Sequence, residues 1–448
     1  VISLFGGRET AIVLIFGKYS MRLYPLLLIL MWTISASTDS ATLPGIALID
    51  LRTVSNQNLD IIKRNPEVTW WAELGKTMLV GGASRHILAF GPPVLRHWTH
   101  LKSDQLSVIR AGHPHELPRH MSILATAGRL TIVAGVQPDD IAATQANGHQ
   151  KIEPFQRNHV YVRAGFRDTP QKKWGHTQQL AALSAIDSVD PVRWYGDVGT
   201  LTNWNRHVSS VDVVSARDWL KEQLDLLKPT SSVLQKFNLG GRDAWNVVAS
   251  FEGPLDSDVY VISGHYDSLS ENVSRSAPGA EDNASGAAGV LELARIFAVR
   301  ERKATLIFIA FSGEEEGLIG SKAYVNSLPA SMRSRIKGAL NMDMIGYTQD
   351  GSLGVLIETS PNFRELHDHF AIAARLVDGL ETYSSFSPFG SDHVPFINKN
   401  IPALLTCDND WGEYPDYHRT TDTIEKLSRE MGAAILKMNA AALAAILE

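Results

Sequence analysis

In the second half of this 448-residue chain, four apolar runs each lead into acids or histidines. Residues 259–263 lead into His265-Tyr266-Asp267, and residues 304–311 into Glu314-Glu315-Glu316. Residues 338–342 lead into Asp343, and residues 401–406 into a loop that closes on Tyr417-His418. Between the first two runs, Glu281-Asp282-Asn283 opens a helical stretch. Cys407 is the one cysteine, so any metal must be held by imidazole and carboxylate, and no internal disulfide exists. Such ligands suit Zn²⁺, with Mn²⁺ or Co²⁺ as substitutes. Five groups, His265, Asp282, Glu315, Asp343 and His418, serve two ions if one carboxylate bridges. Each ion then has three protein ligands and an open position for water. Two ions roughly 3.5–4 Å apart can share a hydroxide and polarise a carbonyl. Asp267, on the same loop as His265, is placed to accept the imidazole N–H and fix its tautomer. Glu314 neighbours a ligand but points elsewhere. It is the natural general base, taking the proton of water and handing it to a leaving amine. The chemistry is metal-assisted hydrolysis of an amide.

Each fragment alone is ordinary. Three glutamates often open a solvated helix, and Asp282 before Asn-Ala-Ser-Gly is a common helix cap. The signal lies in their convergence at matched strand ends. Strands that are apolar throughout, with helices between them, mean a sheet covered on both faces. Helices are predicted at 215–227, 284–300, 321–327, 362–377 and 425–447, and a further strand at 354–357. Active sites of such sheets gather at the carboxyl ends of the strands. From 43 to 165 the pattern is short and strand-like, with examples at 77–80, 86–90, 129–136 and 159–163. The expected organisation is an upstream extension and signal-like segment at 1–41, a smaller β-rich domain at 42–190 with a linker near 168–173, and an α/β domain at 191–448.

The motifs H-Y-D-S at His265, A-E-D-N-A-S-G at Ala280, E-E-x-G-L-x-G-S at Glu314, N-M-D-M-I-G at Asn341 and Y-H-x-x-x-D-T at Tyr417 resemble those of the co-catalytic zinc aminopeptidases. That family also holds glutamate carboxypeptidase and, more distantly, glutaminyl cyclase. The resemblance covers about 191–448. It implies a three-layer α/β/α phosphorylase/hydrolase-like domain with a mixed sheet, two Zn²⁺ and peptide substrates. It implies that Asp282 bridges the ions, that His265 and Asp343 complete one and that Glu315 and His418 complete the other. Glu314 would be base and acid, and Asp267 a supporting residue. In some relatives a tyrosine before an S-D-H run polarises the scissile carbonyl. Here the stretch Phe386-Ser387-Pro388-Phe389-Gly390-Ser391-Asp392-His393 has none. Tyr383, Tyr414 and Tyr417 are the substitutes, unranked, and Asp392 is a candidate partner near Glu314. The competing readings are a single-zinc glutaminyl cyclotransferase, a zinc carboxypeptidase and an inactive binding module. The last should lack ligands, and none is missing.

Met21-Arg22, the apolar run 23–34 and small residues to Ala41 have the layout of a secretory signal. A run of 12 is too short for a bilayer, which needs roughly 20 residues. The expectation is a secreted or periplasmic protein that starts at Met21 and keeps no span. With Lys+Arg 42 against Asp+Glu 48 and net charge −6, a broad nucleic-acid surface is excluded. His115-Glu116-Leu117-Pro118-Arg119-His120 misses the H-E-x-x-H spacing by one residue, and Pro118 breaks the helix it needs. No G-x-S-x-G elbow or phosphate-binding G-x-x-x-x-G-K-[ST] loop occurs. Cys407 and Trp70-Trp71 are expected in cores.

Overall fold

The computed structural model describes residues 44–52, 54–83, 94–110, 117–147, 151–165, 170 and 172–448. The signal-like segment at 21–41, the strand expected at 86–90, part of the 168–173 linker and His115-Glu116 fall outside the described residues.

The apolar runs form the middle of a mixed sheet. Val259–His265 lies between Thr305–Phe311 and Ile336–Met342, parallel to both, and Ile336–Met342 lies parallel to Ala403–Asp408. Register brings the strand ends to one edge: His265 is opposite Phe311, Ser263 opposite Asn341 and Met342 opposite Thr406. The loops carrying the acids and histidines therefore start side by side. Thr305–Phe311 is buried at every position, as a strand covered on both faces must be. An antiparallel hairpin, Ser231–Leu239 with Arg242–Phe251, adds to one side. Gly354–Thr359, antiparallel to Ala403–Asp408, and Glu381–Ser385 add to the other.

Residues alternate between two cores. Ile262, Phe308 and Leu340 face helices Ser285–Ala298, Pro191–Leu201 and Arg429–Ile446. Val261, Ile309 and Ala339 face Ile319–Ser327 and His393–Asn398. This is the three-layer arrangement expected from the sequence. Local signals start the helices: Asp190 accepts from the amides of Val192 and Arg193 ahead of Pro191, and Ser428 from that of Met431.

The sheet does not stop at the boundary expected near 190. Glu381–Ser385 pairs antiparallel with His159–Ala164, and the order continues through Val68–Gly75, Thr77–Ala83, Pro44–Asp50 and Val94–Thr99. Among the described residues this is one sheet of thirteen strands. A second sheet of four strands carries the hairpin Ser122–Ala127 and Leu130–Ala134. Its Ile132 and Leu130 share a core with Trp70 and Leu48, and with Leu356, Leu405, Cys407 and Trp411 from the C-terminal part. Helix His176–Ile186, within the stretch expected to belong to the N-terminal domain, belongs to the C-terminal core. Its Ala182 and Ala185 are fully buried there, and Gln178 Nε2 donates to Ala445 O at 2.8 Å. It packs through alanines, so it carries no large apolar stripe to reveal it. No helix among the described residues is long and apolar enough to cross a membrane.

Candidate metal centre

Each site residue stands on or just beyond a strand of the parallel core, or at the entry of the helix between two of them. His265 ends Val259–His265, Asp343 follows Ile336–Met342, and Glu314 and Glu315 follow Thr305–Phe311. Asp282 lies in the turn before Ser285–Ala298, and His418 beyond Ala403–Asp408, with φ of 52°. The fold brings all five together in two triads that share one residue. His265, Asp282 and Asp343 form the first, and Asp282, Glu315 and His418 the second, with ligand atoms of each triad within 4.8 Å of one another. His265 Nε2 is 3.2 Å from Asp282 Oδ1 and 3.3 Å from Asp343 Oδ1. His418 Nε2 is 3.1 Å from Asp282 Oδ2 and 3.0 Å from Glu315 Oε2. Asp282 thus turns one oxygen to each triad.

Supporting bonds fix these side chains. The amides of Glu281 and Asp282 donate to the two oxygens of Asp422, at 2.9 and 3.1 Å. Asn283 Oδ1 accepts from the amides of Gly286 and Met344 and so ties the Asp282 turn to the Asp343 loop. Asp343 Oδ2 accepts from Ser391 Oγ at 2.6 Å; Asn341 Nδ2 donates to that hydroxyl, and Ser263 Oγ donates to Asn341 Oδ1. Arg206, fully buried, donates to the main-chain carbonyls of Leu201, Tyr266, Pro278 and Gly279 and clamps the His265 and Asp282 loops. Burial pulls its pKa down to about 10.

The role expected of Asp267 is divided. The nearer acceptor for His265 Nδ1 is the Asp267 main-chain carbonyl at 3.1 Å, with the carboxylate at 3.7 Å. The carboxylate instead accepts from the Glu315 amide at 3.3 Å. Burial pushes it up to about 7. Asp392 is buried close to Glu314, and burial pushes it up to about 7 as well. The three tyrosines separate cleanly. The Tyr414 hydroxyl donates to Asp422 Oδ1 at 2.6 Å, and the Tyr383 hydroxyl to Glu381 Oε2 at 2.9 Å. Only Tyr417 of the three lines the cavity beside the acids, its ring stacked on His418 at 3.7 Å.

The electrostatics are those of a site short of positive charge. Burial pushes the Glu314 carboxyl well up, and Asp343 and Glu315 push further. Burial alone would lower both imidazoles, yet the carboxylates win: His265 is raised well above its usual value, and His418 is pushed up to about 10. Asp282 is the converse. Burial raises it, but the bonds to His265 and His418 carry it far below the carboxylate range. The clustered carboxylates thus draw positive charge to both triads, as a cation held there would supply. The donor set, two imidazoles and three carboxylates with no thiolate, fits Zn²⁺ or a similar ion at both triads.

Beside the triads opens a small cavity of about 30 Å³, lined by Asp282, Glu314, Asp343, Tyr417, Trp411 and Arg129. Arg129, Ser391, Asp422 and Arg206 were not assigned roles from sequence. Asp422 sat in the quoted Y-H-x-x-x-D-T motif and Ser391 before the quoted Asp392-His393; nothing local marked Arg129 or Arg206.

Residues 246–443 match peptidase family M28. An uncharacterised Escherichia coli protein, YfbL, is 30% identical over 220 residues, covering 43% of this chain and 68% of that one. The chain belongs to family M28. A protein of Pyricularia oryzae named probable zinc metalloprotease is 38% identical to this M28 chain over 194 residues, covering 38% of each. Among solved structures, the LapA aminopeptidase of Legionella pneumophila covers 77% of this chain and 98% of its own, at 19% identity and a TM-score of 0.54, a likeness of fold. The chain spans about a third to a half of the length of several curated relatives it matches.

Proposed function

We propose that this M28 chain is a zinc-dependent aminopeptidase that holds two ions and removes residues from the N-terminus of peptides. The observation that carries the reading is the pair of triads sharing Asp282, open on one side to a cavity that Glu314 lines. His265 and Asp343 would hold one ion, Glu315 and His418 the other, and Asp282 both. Zinc, when bound, supplies a water acidic enough to attack at neutral pH and polarises a carbonyl. The chain supplies the rest. Glu314, in the cavity wall and not in either triad, accepts the proton of the attacking water at its carboxylate and returns it to the amine nitrogen as the peptide C–N bond breaks. Asp267 and Ser391 keep His265 and Asp343 in orientation. Names support the reading too, with one relative called a zinc metalloprotease and a fold neighbour an aminopeptidase.

The test pairs metal analysis of purified protein with a panel of aminoacyl-arylamides. Two ions per chain and hydrolysis of at least one arylamide are expected. One ion with cyclisation of N-terminal glutamine substrates, or cleavage only from a carboxyl terminus, would replace the reading.

A further inference from the structure

Among the described residues, one charged side chain of the N-terminal β region reaches the cavity beside the triads. Arg129 sits at the turn of the hairpin Ser122–Ala127 and Leu130–Ala134, where Gly128 adopts φ of 50° and its Cβ position faces Leu356. The arginine is buried, at 9% exposure, yet lines the same cavity as Asp282, Glu314 and Asp343. Three bonds aim the guanidinium: Nη1 donates to Glu358 Oε1 at 3.2 Å and to Phe389 O at 2.6 Å, and Nη2 to Gly390 O at 2.6 Å. The Trp411 ring lies 5.5 Å from it and flanks the same cavity. Guanidinium has five N–H donors in a rigid fork, so donors remain beyond these three bonds.

A buried guanidinium is costly unless it is paired, and Glu358 with the carbonyls of Phe389 and Gly390 pairs this one while holding it in the cavity wall. Burial raises the carboxyl of its partner Glu358, but His393 and Arg129 outweigh it and hold it below the usual range. The pair is charge-balanced. It is therefore poorly suited to capture a free carboxylate and well suited to a neutral oxygen that gains charge during reaction. No tyrosine occupies the stretch 386–393, and two of the other three candidates have hydroxyls engaged with Asp422 and Glu381.

We propose that Arg129 contacts the substrate, hydrogen-bonding the scissile carbonyl oxygen and stabilising the charge that oxygen acquires when water attacks. This rests on the hydrolytic reading above. It makes the N-terminal region part of the active site, contributing a cationic donor to a cavity otherwise lined by groups of the α/β unit.

The experiment compares full-length wild type, Arg129→Gln and Arg129→Lys, each loaded with zinc, by kcat and KM on an aminoacyl-arylamide, with metal content and thermal melting measured alongside. The expected result for Arg129→Gln is a loss of about 100-fold in kcat, KM within about threefold, and unchanged metal and melting. Arg129→Lys, which keeps charge but not the fork, should lose about tenfold and decides the matter if the Gln variant does not fold. A kcat within about threefold of wild type, or a loss that follows loss of metal, overturns the proposal. So does a rise in KM confined to peptides with a free α-carboxylate, which would make Arg129 a carboxylate binder. Wild type that hydrolyses no arylamide or peptide defeats the hydrolytic reading itself; active wild type with an indifferent Arg129 variant defeats only this inference.

Discussion

The two halves of the thirteen-stranded sheet do different work with similar strands. In the C-terminal half, the four core strands run parallel, so their carboxyl ends lie at one edge and the segments that follow them bring the two triads together. In the N-terminal half, the strands are mostly antiparallel meanders. Antiparallel neighbours send successive turns to opposite ends, so no such gathering occurs. Among the described residues, the N-terminal region reaches the cavity through Arg129, on a hairpin of the separate four-stranded sheet. Parallel topology concentrates chemistry; an antiparallel extension can wall a cavity and lend it single side chains.

If the halves are one cooperative body, cutting between them should have the largest effect. A fragment of 191–448 loses the His159–Ala164 pairing and the packing of helix His176–Ile186 on Arg429–Ile446. It is expected to show no cooperative melt by circular dichroism. A fragment of 172–448 should retain more helix; equal, sharp melting of both would mean the boundary near 190 is real. Next in size is Asp282→Asn, which weakens the one ligand shared by both triads. Metal content and activity should fall together, the latter by more than about 10³-fold, and a fully loaded variant by elemental analysis would contradict sharing. Glu314→Gln should leave both metals and the melting temperature in place while kcat drops about 10²–10⁴-fold. Retained turnover would remove it from proton transfer.

Smaller effects probe packing in each region. A Cβ at Gly432 would lie 2.0 Å from the Trp194 ring, so Gly432→Ala should cost about 1–3 kcal/mol in chemical denaturation. Smallest is Lys76→Ala, at the surface seam where Lys76 Nζ is 2.7 Å from Glu381 Oε2. Both side chains are solvent-exposed in part, and the change should be below about 1 kcal/mol and shrink with salt. A larger loss would show that the seam depends on that pair.

Local signals made the α/β half readable. Continuous apolar runs marked the strands Thr305–Phe311 and Val259–His265, an apolar stripe marked the helix Ser285–Ala298, and the acids stood just past the run ends. Helix His176–Ile186 escaped because alanines bury without an apolar stripe. The continuity of the sheet escaped because edge pairing, such as Tyr383 opposite Ala164, leaves no trace in either segment alone.

The order of apolar runs and the groups behind them were thus fixed by composition and spacing, since burial on both faces and right-handed crossovers leave few arrangements for alternating strands and helices. Tertiary structure alone decided which oxygen of Asp282 meets which histidine and that the main-chain carbonyl of Asp267 stands closest to His265 Nδ1. It also decided that an arginine nearly two hundred positions before Glu314 shares its cavity. Those are matters of side-chain direction and of contacts between distant segments, which depend on packing in three dimensions and not on neighbours in the chain.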